Sequence, residues 1–129
     1  MITPELKDTI LKTLTDAGVK LNFNLNQLAK ELNIDRDVLE IILNQFENQQ
    51  LMSIERMLGG GMYVTLSADA FDFIRMGGFT MREKTLILTL EKLQLEVEKL
   101  SSDYPEKAST FTSIAANIAT CLTFLATMK

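Results

Sequence analysis

Between residues 6 and 14 the apolar positions fall at Leu6, Ile10, Leu11 and Leu14, a spacing that lines one face of a helix. Thr3-Pro4-Glu5 supplies the start: a hydroxyl to cap, a proline suited to the first helical position, and an acid near the positive end of the dipole. Ala17-Gly18 ends the run. The period then shortens to two. Val19, Leu21, Phe23 and Leu25 alternate with polar residues, which predicts a short half-buried strand.

Asn24 or Asn26 can cap a second, short helix carrying Leu28, Ala29 and Leu32. The "NID" triplet turns the chain, and Asp35 caps a third helix with Leu39, Ile42, Leu43 and Phe46 as its buried stripe. Residues 51–58 and 62–66 read as two strands joined across Gly59-Gly60-Gly61, where glycine supplies positive φ. Ser67 caps a short helix with Phe71, Phe73 and Ile74, stopping at Gly77-Gly78.

Helix, strand, helix, turn, helix, hairpin is an order that resembles the winged helix-turn-helix family of small bacterial and phage proteins. The likeness covers roughly residues 3–78. It is carried by "LAKELNI" (28–34) as the helix-turn-helix entry and by "LNQFENQQLM" (43–52) as a recognition helix running into the first wing strand. The third mark is "YVTLSADAFDFIRMGG" (63–78), the exit from the wing. Two positions depart from the family pattern. Gln50 and Ala70 stand where the family often has glycine, so at Gln50 the chain either takes a left-handed cap at a cost of about 1 kcal/mol or ends the helix differently.

A second part begins at residue 79. Thr80 and Glu83 have the spacing of a capping box. After them Leu86, Leu90, Leu93, Val97, Leu100 and Tyr104 repeat as a heptad seam, with Leu88 and Leu95 off it. A last helix from near Pro105 carries Ile114, Ile118, Cys121, Leu125 and Met128 at similar spacing. The two helices are expected to form a hairpin that also pairs with a second copy through Leu86, Leu90, Leu93, Val97, Leu100, Ile114, Ile118 and Leu125, since each alone buries too little. Residues 108–128 hold no charge and are flanked by Lys107 and Lys129. That length can span a bilayer. With five threonines, two serines and an asparagine, a buried bundle helix is the expectation, and a tail anchor the alternative.

Composition changes the picture in two ways. The 129 residues include no histidine and one cysteine, which excludes Ser-His-Asp and Cys-His catalysis, histidine-based zinc sites and an intrachain disulfide. Acids are scattered along helical faces with no loop cluster, and no cofactor motif is present: the triple glycine lacks the Lys-Ser/Thr of a phosphate loop and leads into a strand. No enzyme activity and no cofactor are expected. No secretion signal is visible either, and the lone thiol fits a reducing, cytoplasmic setting.

Charge bears on the partner. The net charge is −4. Residues 1–78 hold seven Lys and Arg against eleven Asp and Glu, while residues 79–129 hold six of each, so the whole excess lies in the first part. Placed as the resemblance implies, the open face of the third helix carries Arg36, Asp37, Glu40, Asn44, Glu47 and Asn48. Asn44 and Asn48 can read adenine edges and Glu40 can accept from cytosine, with Lys30 and Arg56 on phosphates and Lys20 nearby. Base reading needs phosphate contacts first, and an acidic background weakens those. Apolar Met57, Leu58 and Met62 are expected around the wing tip, either as a surface suited to a protein or packed against the C-terminal helices.

The sequence therefore predicts a mainly α protein, α+β in its N-terminal part. Residues 1–78 form a winged helix-turn-helix domain and residues 79–129 a two-helix, coiled-coil-like extension. Its expected function is that of a non-catalytic adaptor that self-associates, most simply as a dimer, and binds a protein partner. The alternative is a sequence-specific DNA-binding transcriptional regulator, with Lys30, Arg36, Glu40, Asn44, Glu47, Asn48 and Arg56 as contact residues in either case. A membrane-anchored module ranks third.

Overall fold

The computed structural model describes residues 2–127, with side chains as far as Ala126. The chain divides into two compact units, Met1–Thr80 and Met81–Lys129. The first contains α1 (Pro4–Ala17), β1 (Lys20–Asn24), α2 (Leu25–Leu32), α3 (Arg36–Asn48), β2 (Met52–Arg56), β3 (Gly61–Leu66) and α4 (Ala68–Arg75). Each of the four helices starts on the side chain its sequence offers: Thr3, Asn24, Asp35 and Ser67 accept from backbone N–H groups of the first turn, meeting donors that no helix can satisfy internally.

The strands form an antiparallel sheet in the order β1-β3-β2. Leu21 lies opposite Val64 on one side of β3 and Ile54 opposite Val64 on the other, so the inward row of the central strand is flanked by apolar residues from both edges. The helices supply the other half of the packing: Ile10, Leu11, Leu39, Ile42, Leu43 and Phe46 are fully buried, and they meet Val64 and Leu66 in one core. Helix-turn-helix followed by a two-stranded wing, with β1 closing the sheet, is a winged-helix architecture.

Of the two endings open at Gln50, the chain takes the left-handed cap, with φ of 63°. The Leu51 N–H donates to Phe46 O and the Gln50 N–H to Glu47 O, both at 3.0 Å, the paired bonds of a Schellman ending. Asn33 ends α2 in the same conformation, φ 55°. Ala70, where the family often has glycine, is fully buried.

Three expectations need correction. Met62 is buried, not exposed at the wing tip: β3 begins at Gly61, and strand alternation turns Met62 inward with Val64 and Leu66. Leu25 opens α2 instead of ending the strand. The Thr80–Glu83 capping box does not form. The next helix, α5 (Gly78–Asp103), begins two residues earlier, and its first donors are taken by Asp8 of α1. Phe79 N–H donates to Asp8 Oδ1 at 2.6 Å and Thr80 N–H to Oδ2 at 3.0 Å, with the Thr80 hydroxyl also donating to Oδ2. Gly78 makes this approach feasible, because at φ +67° a Cβ there would overlap the Asp8 carboxylate. Phe79 follows it inward, stacked on Phe46 at 5.5 Å and edge-on to Phe73 at 4.7 Å, with Lys7 Nζ 5.3 Å from its ring centre. It therefore belongs to the core of the first unit.

In the second unit α5 turns through Pro105–Lys107 into α6 (Ala108–Thr127). The heptad seam is not covered by the chain's own last helix. Leu86, Leu93, Leu100 and Tyr104 are all exposed, and of the seam only Val97 is buried. Among the described residues of α6 only Ile118 is buried, while Ile114 is exposed and Leu125 half-buried. One neighbouring helix can cover no more than a stripe, so within a single chain most of the uncharged segment stays exposed. Met128 and Lys129 lie outside the described residues.

Candidate nucleic-acid interface

The outer face of α3 is built by what its inner face buries. With Leu39, Ile42, Leu43 and Phe46 held in the core, helical geometry turns Asp37, Ile41, Asn44 and Asn48 outward, with Arg36 and Glu40 beside them. Asp35 at the N-cap and the left-handed Gln50 fix where this face begins and ends. Ile41 lies midway along it and is 56% exposed.

Both arginines of the region are already paired. Arg36 Nη1 lies 3.4 Å from Asp37 Oδ1 and 3.5 Å from Glu40 Oε2. Arg56, on β2, reaches back across to α3, where it meets Glu47 Oε1 at 3.3 Å and donates to Asn44 Oδ1. Glu47 does more than pair with arginine, because its Oε2 accepts the Ile54 N–H at 3.1 Å. Glu47 thus bridges the recognition helix to the first wing strand with both carboxylate oxygens, a role that sequence reasoning missed. The spacing of helix and strand residues gave no sign of it, since the pairing depends on how β2 returns beneath α3.

The expected contact residues divide accordingly. Arg36, Glu40, Asn44, Glu47 and Arg56 form two linked polar groups at the two ends of α3, and Asn48 is exposed beyond the second. Lys30 is exposed on α2 and Lys20 at the start of β1; neither joins either group. These ion pairs lie in water-accessible positions, where a pair contributes about 0–1 kcal/mol. They hold the side chains loosely, and a stronger anion can displace the acids.

The wing tip is Met57 to Gly60, closed by the Met57 N–H donating to Gly61 O at 2.8 Å. Gly59 and Gly60 have φ of 81° and 86°, which only glycine adopts readily. Asn24 Nδ2 donates to Gly59 O at 3.0 Å, so the residue that caps α2 also steadies the tip. Leu58 is fully exposed there and Met57 half so.

No protein-family model and no curated protein matches the chain. Solved structures of similar shape include the adhesin competence repressor AdcR of Streptococcus pyogenes, at 18% identity and a TM-score of 0.44, covering 86% of this chain and 78% of that one. The zinc-responsive MarR family member ZitR of Lactococcus lactis matches at 17% identity and a TM-score of 0.45, covering 91% and 76%. Wild-type ZitR in complex with DNA matches at 16% identity and a TM-score of 0.45, covering 91% and 75%.

Proposed function

We propose that the chain is a non-catalytic DNA-binding regulator of winged-helix type, which pairs with a second copy through the seam of α5. The observation that carries this reading is the uncovered polar face of α3 beside the wing. Amides at Asn44 and Asn48 stand along it, with Arg36 at one end and Arg56 at the other, and its one exposed aliphatic is Ile41. Protein-binding surfaces concentrate aromatic and aliphatic anchors at their centre; this face offers amides and guanidinium groups, the chemistry of base edges and phosphates. Lys30 and Lys20 add phosphate contacts from α2 and β1.

The acids set the terms of binding. A phosphate must take Arg36 from Asp37 and Glu40, and Arg56 from Glu47, at a cost of about 0–1 kcal/mol for each exposed pair. Affinity for arbitrary sequence is then low and falls steeply with salt. Fluorescence anisotropy of a generic duplex, titrated with the full chain at low and at moderate salt, tests this directly. Weak binding that fades as salt rises is the expected result. Removing the competing acids with Asp37→Asn and Glu40→Gln should tighten it about two- to fivefold, whereas Arg36→Glu with Arg56→Glu should abolish it. Absence of binding even at low salt overturns the reading.

A protein partner is the second reading, favoured by a specific pair of features: the fully exposed Leu58 at the wing tip and the net charge of −4 carried by residues 1–78. It is the adaptor function that the sequence put first, and it predicts no binding in the titration at any salt.

A further inference from the structure

We propose that α6 crosses a lipid bilayer and anchors the protein to a membrane. The proposal is independent of what the first unit binds. Its 20 residues rise about 30 Å at 1.5 Å each, the thickness of the hydrocarbon core. Asp, Glu, Lys and Arg are all absent from 108–128. Length and absence of charge are also met by core helices of soluble proteins, but those helices are covered by their own chain. Of an 18-residue window within Pro105–Ala126 only 6% of the positions are buried, Ile118 among them. An apolar helix left this bare needs an apolar surrounding.

The hydroxyls, which argue against lipid by composition, are partly neutralised by geometry. Ser113 donates to Ser109 O, Thr120 to Ala116 O and Thr123 to Ala119 O, at 3.2, 2.9 and 2.9 Å. Each satisfies its donor within its own helix, as spanning segments require. Ser109, Thr110 and Thr112 lie within the first turn and a half, near the headgroups. Tyr104 and Lys107, both exposed, precede the span at the position where aromatic and basic residues anchor at an interface. Lys99 and Lys107 lie within about 10 residues of its start, where basic residues favour the cytoplasmic side.

Insertion requires the hairpin to open at 104–107, uncovering Val97 and Ile118, the two residues that the pairing buries. Ile114 and Leu125, expected from sequence at a contact between copies, would then face lipid. Asn117, the one amide in the span, would find its partner on a second spanning helix, where polar side chains bond across helices.

The test uses the full-length chain expressed in bacteria, with membranes washed in alkaline carbonate. Wild-type protein should remain in the washed membrane. Its Cys121 thiol should react with a water-soluble maleimide only after detergent is added. Ala116→Arg with Thr120→Arg alters two exposed positions of α6 and should move the protein to the soluble fraction. Each arginine disfavours insertion on the order of a hundredfold, and unchanged helix content by circular dichroism would show that the variant is still folded. Wild type released by carbonate overturns the proposal, as does a thiol that reacts fully without detergent. A soluble protein whose Cys121 is shielded would overturn it as well, and would assign the bare face of α6 to a second copy.

Discussion

Backbone positions with positive φ separate residues that are cheap to keep from residues that carry a cost. Gln50 is held at 63° by the two hydrogen bonds that end α3, and a β-carbon there costs about 1 kcal/mol relative to glycine. Gln50→Gly should therefore raise the urea midpoint of the first unit, by the equivalent of about 0.5–1 kcal/mol. Gly78 is the opposite case. Gly78→Ala places a Cβ against the Asp8 carboxylate at a φ of +67°, and the Asp8 bonds must lengthen. A loss of about 1–3 kcal/mol is expected, similar in size to Asp8→Ala, which removes the cap itself. Because both changes act on one contact, the double variant should cost much less than the sum of the two.

At the scale of elements, the helix starts were legible because capping is local: Thr3, Asn24, Asp35 and Ser67 each serve donors within three residues. The start of α5 was not, since its acceptor lies 71 residues earlier and no local motif announces it. The inward turn of Met62 was readable from the alternation Met62, Val64, Leu66, but the glycines beside it suggested a tip. Of the recognition surface, the residue types and the face could be read from helical spacing, whereas the Arg56–Glu47–Asn44 group depends on tertiary register. That group gives an element-scale prediction. Glu47→Ala leaves the Ile54 N–H without its acceptor and Arg56 with Asn44 alone, so the wing should loosen against α3. Stability should fall by about 1–2 kcal/mol, and amide exchange in β2 should accelerate. Leu93→Asp tests the seam of α5: Leu93 is exposed, so the change should leave the monomer folded and abolish association, as read by sedimentation.

The whole molecule combines an acidic first unit with a charge-balanced second one. The proposed roles put these to separate uses, recognition in one and pairing and anchoring in the other. Cutting between them is sensitive to position. A fragment ending at residue 78 follows the composition of the chain, yet it discards Phe79, whose ring lies between Phe46 and Phe73, and with it the donors that Asp8 serves. Losing a buried phenylalanine costs about 3–5 kcal/mol. Residues 1–80 should fold cooperatively, and residues 1–78 should melt at a markedly lower temperature or not fold.

The Asp8 contact also has a bearing on how opening could be followed in solution. Amides in the first turn of a helix ordinarily exchange with water almost freely, because fraying costs little. Those of Phe79 and Thr80 are bound to a carboxylate on a helix that belongs to the folded core of residues 1–80. Their exchange should be slow, out of keeping with their place in α5, and should quicken only when α1 leaves that core. Two hydrogens at the head of the long helix would thus act as a clock for the rarest excursion of the recognition unit, one that needs neither a bound partner nor an added probe to be read.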